Sequence, residues 1–153
     1  MKQLPIDLLI AGNGPLYEEL VEKKQREGIE NVQLLGTVAW VNLANLYQHA
    51  EALMLVSTAE TWGMVANEAQ ELGKPVICTA ACGCANDLVI DGKNGLVLED
   101  IVKAENIERV QAFLQDLPKN QAAIQAFSAR NAQIFTVEQL ASEMYKGFHK
   151  LIA

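Results

Sequence analysis

Two carboxylates are the first candidates for chemistry. Glu60 and Glu68 are separated by seven residues in the stretch ETWGMVANE, which reads as the end of a polar turn running into a helix. If that helix starts near Gly63, Met64 and Glu68 share one face at spacing four, about 6 Å apart along the axis. The N–H groups around Gly63 to Val65 are then without intrahelical partners, and such a terminus attracts a phosphate. A carboxylate one turn further in can accept two hydrogen bonds from vicinal hydroxyls such as a ribose diol. Together these features describe a seat for a nucleoside diphosphate. The same spacing also suits a plainer arrangement, with Glu60 as a helix-start acid favoured by the dipole and Glu68 as a solvated surface residue. Spacing alone leaves both readings open.

The other candidates are weaker. Gly12-Asn13-Gly14-Pro15 could cradle a phosphate at a helix start, but Tyr17 occupies the third glycine position of G-x-G-x-x-G and no P-loop Lys-Ser/Thr follows, so a tight turn is the simpler reading. Cys78, Cys82 and Cys84 are one ligand short of a structural zinc site, and His49 and His149 are remote in sequence; no metal is expected. They read instead as a small strand residue and two small loop residues. There is no G-x-S-x-G elbow. Trp40 and Trp62 are both expected in loops at strand ends, where an aromatic face either stacks on a base or packs against the protein.

Positioning such a site is the work of alternating elements. Asp7 to Ala11 reads as a buried strand, followed by a helix from Pro15 that carries Leu16, Leu20 and Val21 and stops at Gly28. Asn31 to Leu35 is a second strand, Leu43, Leu46 and Tyr47 mark a short helix, and Ala52 to Val56 is a third strand. The helix with Met64, Val65, Ala66, Ala69 and Leu72 ends at Gly73-Lys74-Pro75, and Pro75 to Thr79 forms the next strand. A small-residue loop from Ala80 to Ala85 and the turn DGKNG precede a last strand, GLVLE. The remainder reads as three helices, with Ile107, Val110, Phe113 and Leu114 on the first, Ile124 and Phe127 on the second, and Leu140, Met144, Phe148 and Leu151 on the third, which Thr136 and Gln139 open as a capping box. This alternation predicts an α/β fold, a Rossmann-like parallel sheet flanked by helices, with ligands beyond the C-terminal strand ends. No internal repeat or change of composition interrupts the 153 residues, so one domain is expected.

Composition narrows the partners. Half of the residues are hydrophobic and 20% are charged, which excludes disordered and low-complexity classes. Nineteen acidic against twelve basic residues give a net charge of −7 with no basic stripe, so nucleic acid is not an expected partner. The apolar runs are far shorter than the ~20 residues that span a bilayer. The N-terminus does not read as a secretory leader, and an odd count of three cysteines suits a reducing compartment; a cytoplasmic location is expected.

Taken together, LLIAGNGP, NVQLLGTV, LYQHAEALMLVSTAETWGMVANEAQELGKPVI and DLVIDGKNGLVLE resemble the C-terminal half of the group 1 (family 4) retaining glycosyltransferases of the GT-B type, from about Asp7 to Leu151. The most specific piece is Glu, seven residues, Glu-Ala, then Gly-x-Pro-Val. The resemblance implies that Glu60 faces the donor sugar's hydroxyls and Glu68 the ribose. Gly63, Met64 and Val65 would offer backbone N–H groups to the diphosphate and sugar, with Thr61 and Trp62 in the same donor-binding turn. Val38 matches the position whose backbone touches the base, and the last helix, Val137 to Leu151, resembles one that packs toward the acceptor domain. It further implies sugar transfer from a nucleotide diphosphate sugar to an acceptor hydroxyl with retention, generally without a metal. The nucleotide sugar is then a substrate, and no cofactor is required. Peripheral membrane association of the full enzyme is compatible with it.

Several departures qualify the resemblance. The family's C-terminal half usually opens with a strand and a loop whose Arg and Lys hold the diphosphate, and this sequence starts one unit later, without the acceptor-binding N-terminal domain. Preorganised positive charge at the leaving diphosphate is therefore missing, and the chain alone is expected to be inactive. Cys82-Gly83-Cys84 stands where Gly-Gly is frequent, and Val56 where Pro is common before Ser57. Without the first strand, a sheet in the order 3-2-1-4-5-6 should have a central gap, closed by strand rearrangement, by exchange between protomers or by two chains packing as a homo-oligomer. The alternatives are a non-catalytic nucleotide- or protein-binding module of the same fold and, with less support from the Glu-Ala and Gly-Lys-Pro-Val context, a sugar-nucleotide epimerase.

Overall fold

A computed structural model of the chain describes residues 6–99, 103–133, 136, 138–139, 141–142 and 145–146. Strands and helices alternate as β1 (Leu8–Ala11), α1 (Tyr17–Glu27), β2 (Val32–Gly36), α2 (Trp40–His49), β3 (Leu53–Leu55), α3 (Met64–Glu71), β4 (Val76–Thr79), α4 (Ala85–Leu88), β5 (Gly95–Leu98) and α5 (Ala104–Ala132). Every strand pair is parallel, β1 with β2, and β3, β4 and β5 in that order. Among the described residues no ladder joins the two groups.

The chain forms two compact units, Met1–Leu46 and Tyr47–Ala153, with the boundary inside α2. In the first, β1 and β2 are covered by too little chain to bury anything, and no described residue of this unit is buried. The expectation that β1 is a buried strand is thus corrected: Leu8 and Leu9 are exposed. Fewer than ~70 residues seldom enclose a core unaided. Gly28 ends α1 as expected, in the left-handed conformation at φ 62°, and the N–H groups of Gly28 and Ile29 close back on the carbonyls of Gln25 and Lys24. Pro15 lies two residues before the first helical residue, Tyr17, rather than within the helix.

The second unit holds the core. Alternation along β4 sends Val76 and Cys78 to one face, against Ala66, Ala69, Ala85 and Leu88 of α3 and α4. Ile77 points to the other, against Leu96 and Leu98 of β5 and Val110 of α5. A strand buried on both faces is what a parallel sheet covered by helices requires.

Two sequence-based expectations change in this unit. The loop from Ala80 to Ala85 runs into a four-residue helix, α4, and the two helices expected before residue 133 are one 29-residue helix that continues through Pro118. Proline removes one helical hydrogen bond and normally ends a helix; here Leu117 and Ile124, on either side, are both buried, and their packing outweighs that loss.

Most polar side chains buried in this unit are paired, Ser128 Oγ being the exception among the described residues. The side-chain amides of Gln70, Asn94 and Asn131 all donate to the Leu88 carbonyl at 2.8, 2.9 and 2.7 Å, and Asn94 also accepts from the Ile90 N–H. Lys74, only 8% exposed, reaches the Gln48 carbonyl at 2.9 Å in the last turn of α2, where a cation is favoured. Arg109 grips both oxygens of Asp91 and so fixes the DGKNG turn. Thr136 Oγ1 accepts the Gln139 N–H, the first half of the expected capping box, and Gln139 is helical. The stripe Leu140, Met144, Phe148 and Leu151 and residue Val137 lie outside the described residues.

Candidate functional site

The loop between β3 and α3 is set by its neighbour between β4 and α4. Thr79, at the end of β4, donates its hydroxyl proton to the Ser57 carbonyl at the start of the loop. Further on, the Glu60 N–H donates to the Ala81 carbonyl at 3.2 Å, the Gly83 N–H to the Glu60 carbonyl at 2.9 Å, and the Cys84 N–H to the Trp62 carbonyl at 2.9 Å. This short parallel bridge lies at the C-terminal ends of the strands, where open parallel sheets place their ligands. Gly83 permits the close approach: a Cβ there would lie 2.0 Å from the Thr61 carbonyl oxygen.

Gly63 then turns the chain into α3. It adopts φ 96° and ψ 63° as the N-cap, and a Cβ on it would sit 2.7 Å from Leu55 Cδ2 and 3.5 Å from Glu60 Cγ. A residue other than glycine would be strained and crowded there. Being glycine, it offers no capping side chain. Ala66 donates to the Gly63 carbonyl, while the N–H groups of Gly63, Met64 and Val65 have no acceptor among the described residues. The helix therefore presents its positive end at this turn, with Glu60 beside it. At the other end Gly73 is left-handed at φ 70°, and the N–H groups of Gly73 and Lys74 bond the carbonyls of Gln70 and Ala69, which closes α3 as the GKP stretch predicts.

Glu60 is half-buried, its Oε1 accepting the Trp62 N–H at 3.4 Å, and its side chain lies beside Gly63. Glu68, also half-buried, sits four residues after Met64, and its Oε2 accepts the Tyr47 hydroxyl at 3.0 Å. Burial, together with this bond and the charge of Glu68, pushes the Tyr47 phenol up to about 12. Trp62 packs against the core and donates its indole N–H to Asn67 Oδ1 at 2.7 Å, while Thr61 and Met64 are exposed. Glu60, Thr61, Trp62, Gly63, Met64, Val65 and Glu68 thus belong to one passage of the second unit. Val38 is half-buried in the β2–α2 loop of the first unit. Trp40, expected in a loop, instead opens α2 and is 79% exposed.

The three cysteines are free and buried. Burial, followed by the neighbouring thiols, raises Cys78 to about 12. Burial and Cys82 raise Cys84 to about 11 against a weaker opposing backbone hydrogen bond. Such thiols are packing groups rather than nucleophiles. No helix among the described residues is long and apolar enough to cross a membrane.

Sequence reasoning missed the partners of these residues. Tyr47 is 21 positions from Glu68, and nothing in a one-dimensional pattern links them. Gly83 carried one signal, as the glycine retained between Cys82 and Cys84, but its contact with Thr61 becomes visible only with the two loops side by side.

The family pattern described as Glycosyl transferases group 1 matches residues 1–152. An uncharacterized glycosyltransferase of Methanocaldococcus jannaschii is 31% identical over 99 residues, which are 65% of this chain and 28% of that protein. A D-inositol 3-phosphate glycosyltransferase of Rhodococcus erythropolis is 29% identical over 154 residues, covering 96% of this chain and 34% of the relative. The chain thus spans about a third or less of the length of these relatives. Among solved structures, Anabaena HepE in complex with UDP matches with a TM-score of 0.78 at 24% identity, over 95% of this chain and 41% of that one. HepE in complex with UDP-glucose gives 0.73 at 26%, over 94% and 41%. The pneumococcal O-GlcNAc transferase GtfA, in complex with UDP and GlcNAc, gives 0.70 at 22%, over 95% and 29%.

Proposed function

Because the chain belongs to the group 1 glycosyl transferases, we propose that it is the donor-binding part of an enzyme that transfers a sugar, with retention, from a nucleotide diphosphate sugar to an acceptor hydroxyl. The observation that carries this reading is the mouth of α3. A left-handed glycine replaces a capping side chain, three N–H groups have no acceptor among the described residues, Glu60 stands beside them and Glu68 follows one turn in. The diphosphate is held by those N–H groups and the helix dipole. Glu68 accepts from the ribose diol and Glu60 from the hydroxyls of the sugar. Thr61 and Trp62 complete the donor-binding turn.

Loss of the diphosphate leaving group calls for positive charge in place before the reaction. The loop segments 57–63 and 80–85 contain neither Lys nor Arg. The 153-residue chain by itself therefore binds donor without turning it over, the missing charge and the acceptor site being supplied from elsewhere in a longer protein.

Calorimetric titration of the chain with UDP, GDP and ADP tests this reading. One of the three binds, and Glu68→Ala weakens it by about 1.5–3 kcal/mol, the range for hydrogen bonds to a charged group. Binding unchanged in Glu68→Ala would overturn the assignment. Sugar transfer by the chain alone, from a panel of nucleotide sugars, would overturn its inactivity and leave the binding assignment standing.

A further inference from the structure

We propose that Tyr47 is a positioning residue for nucleotide binding: its hydroxyl, 3.0 Å from Glu68 Oε2, holds the Glu68 carboxylate in the orientation that receives the ribose diol. The proposal rests on the reading of Glu68 given above and adds a residue to it.

The geometry supports this role in three ways. Tyr47 lies in the last turns of α2, and its ring packs against the buried cluster formed by α3, β4 and α4, so the hydroxyl is delivered from a fixed base. A glutamate side chain one turn inside a helix has several open rotamers and loses that freedom whenever it binds; a donor already in place settles the choice before the nucleotide arrives. An ionised carboxylate has about four acceptor positions, and the tyrosine uses one, so both hydroxyls of a diol are still accommodated. The phenol also keeps its proton throughout the neutral range, because burial and Glu68 push its ionisation up to about 12. Among the described residues Glu60 has no comparable support, its carboxylate accepting only the Trp62 N–H at 3.4 Å.

The test compares Tyr47→Phe with the unaltered chain by calorimetry, using UDP, or GDP or ADP if one of those is the nucleotide bound, and the matching 2′,3′-dideoxy nucleoside diphosphate. Loosening rather than deleting the charge-assisted grip should weaken binding of the ribonucleotide about tenfold. The dideoxy analogue, which has no diol, should bind both proteins within about twofold, and Glu68→Ala should bind the ribonucleotide equally with or without Tyr47→Phe. A tyrosine that merely braces α2 against α3 would weaken both nucleotides alike, and that outcome overturns the proposal. So does a Tyr47→Phe protein with unchanged ribonucleotide affinity. If Glu68→Ala itself leaves binding unchanged, or no nucleotide binds the unaltered chain, the reading of Glu68 falls and the proposal with it; if only Tyr47→Phe is silent, the proposal alone falls. Urea denaturation of Tyr47→Phe confirms that the compared proteins are folded.

Discussion

Replacing Gly63 by alanine tests whether the mouth of α3 is built on glycine for a physical reason. Two costs apply. The backbone sits at φ 96°, where a side chain costs roughly 1–2 kcal/mol. The new methyl would also lie 2.7 Å from Leu55 Cδ2 and 3.3 Å from Cys84 Sγ, so the core must give way, at roughly 1–3 kcal/mol for an overpacked site. Gly63→Ala should therefore lose roughly 2–5 kcal/mol, a large share of the 5–15 kcal/mol that typically holds a domain together. Gly92 separates the two terms: it has φ 73° and nothing within 4 Å of an added Cβ, so Gly92→Ala carries the backbone cost alone. Urea unfolding should show a midpoint that falls in both variants at unchanged slope, and falls further for Gly63→Ala by about 1–3 kcal/mol once converted. Equal losses in the two proteins would refute the crowding argument. A Gly63→Ala chain as stable as the original would refute both parts.

Other perturbations probe the rest of the unit. Gly83→Ala drives a methyl to 2.0 Å from the Thr61 carbonyl oxygen without any backbone penalty at positive φ, so it should push the two loops apart and weaken nucleotide binding, which calorimetry reads. Asn94→Ala removes both a donor to Leu88 and the acceptor of the Ile90 N–H, whereas Asn131→Ala leaves Leu88 with two other donors. Denaturation should show a loss of about 1–3 kcal/mol for the first and a smaller one for the second. Stability should fall on the alkaline side. Tyr47, Cys78 and Cys84 hold their protons to about 12, 12 and 11, against 10, 9 and 9 when unfolded, so the folded chain binds more protons across that interval. Their contribution is complete below pH ~9 and is lost as pH rises toward 12; Tyr47→Phe should flatten the upper part of that decline in urea midpoints measured from pH 8 upward.

What could be read from the amino-acid order was whatever depends on near neighbours. The apolar run at β4, the glycines that end α1 and α3, and the turn into α3 are local, and each appears where its residues predict. The passage proposed to bind the donor was legible for the same reason, since Glu60 to Glu68 is a single turn and helix start. Expectations that depended on what covers an element fared worse. β1 has the composition of a buried strand, yet the unit it belongs to has too few residues to bury it. The stretches around Phe113 and Phe127 read as two helices, but buried residues on both sides of Pro118 keep α5 continuous. α4 is only four residues long and has no capping side chain, so it gives almost no periodic signal. Tyr47 and Gly83 act on residues more than twenty positions away, a relation that exists only after folding.

The division of labour within the site follows from that difference. The residues with chemistry to offer, Glu60, Glu68 and the N–H groups of Gly63 to Val65, are carried by one continuous passage, which is held in place in large part by bonds from outside it. Thr79 holds its start, the backbone of Ala81, Gly83 and Cys84 holds its middle, and Tyr47 holds its far carboxylate. Cys82 fits the same pattern, its thiol lying 3.5 Å from both the Thr79 hydroxyl and the Leu55 carbonyl, where it fills the space beneath the loop. A ligand grip assembled this way is sensitive to backbone spacing first and to charge second, because a displacement of the loop moves every N–H donor at once, whereas loss of one carboxylate removes a single contact. In the proposed grip the positions with the least chemistry of their own, Gly63 and Gly83, therefore matter as much as the two glutamates.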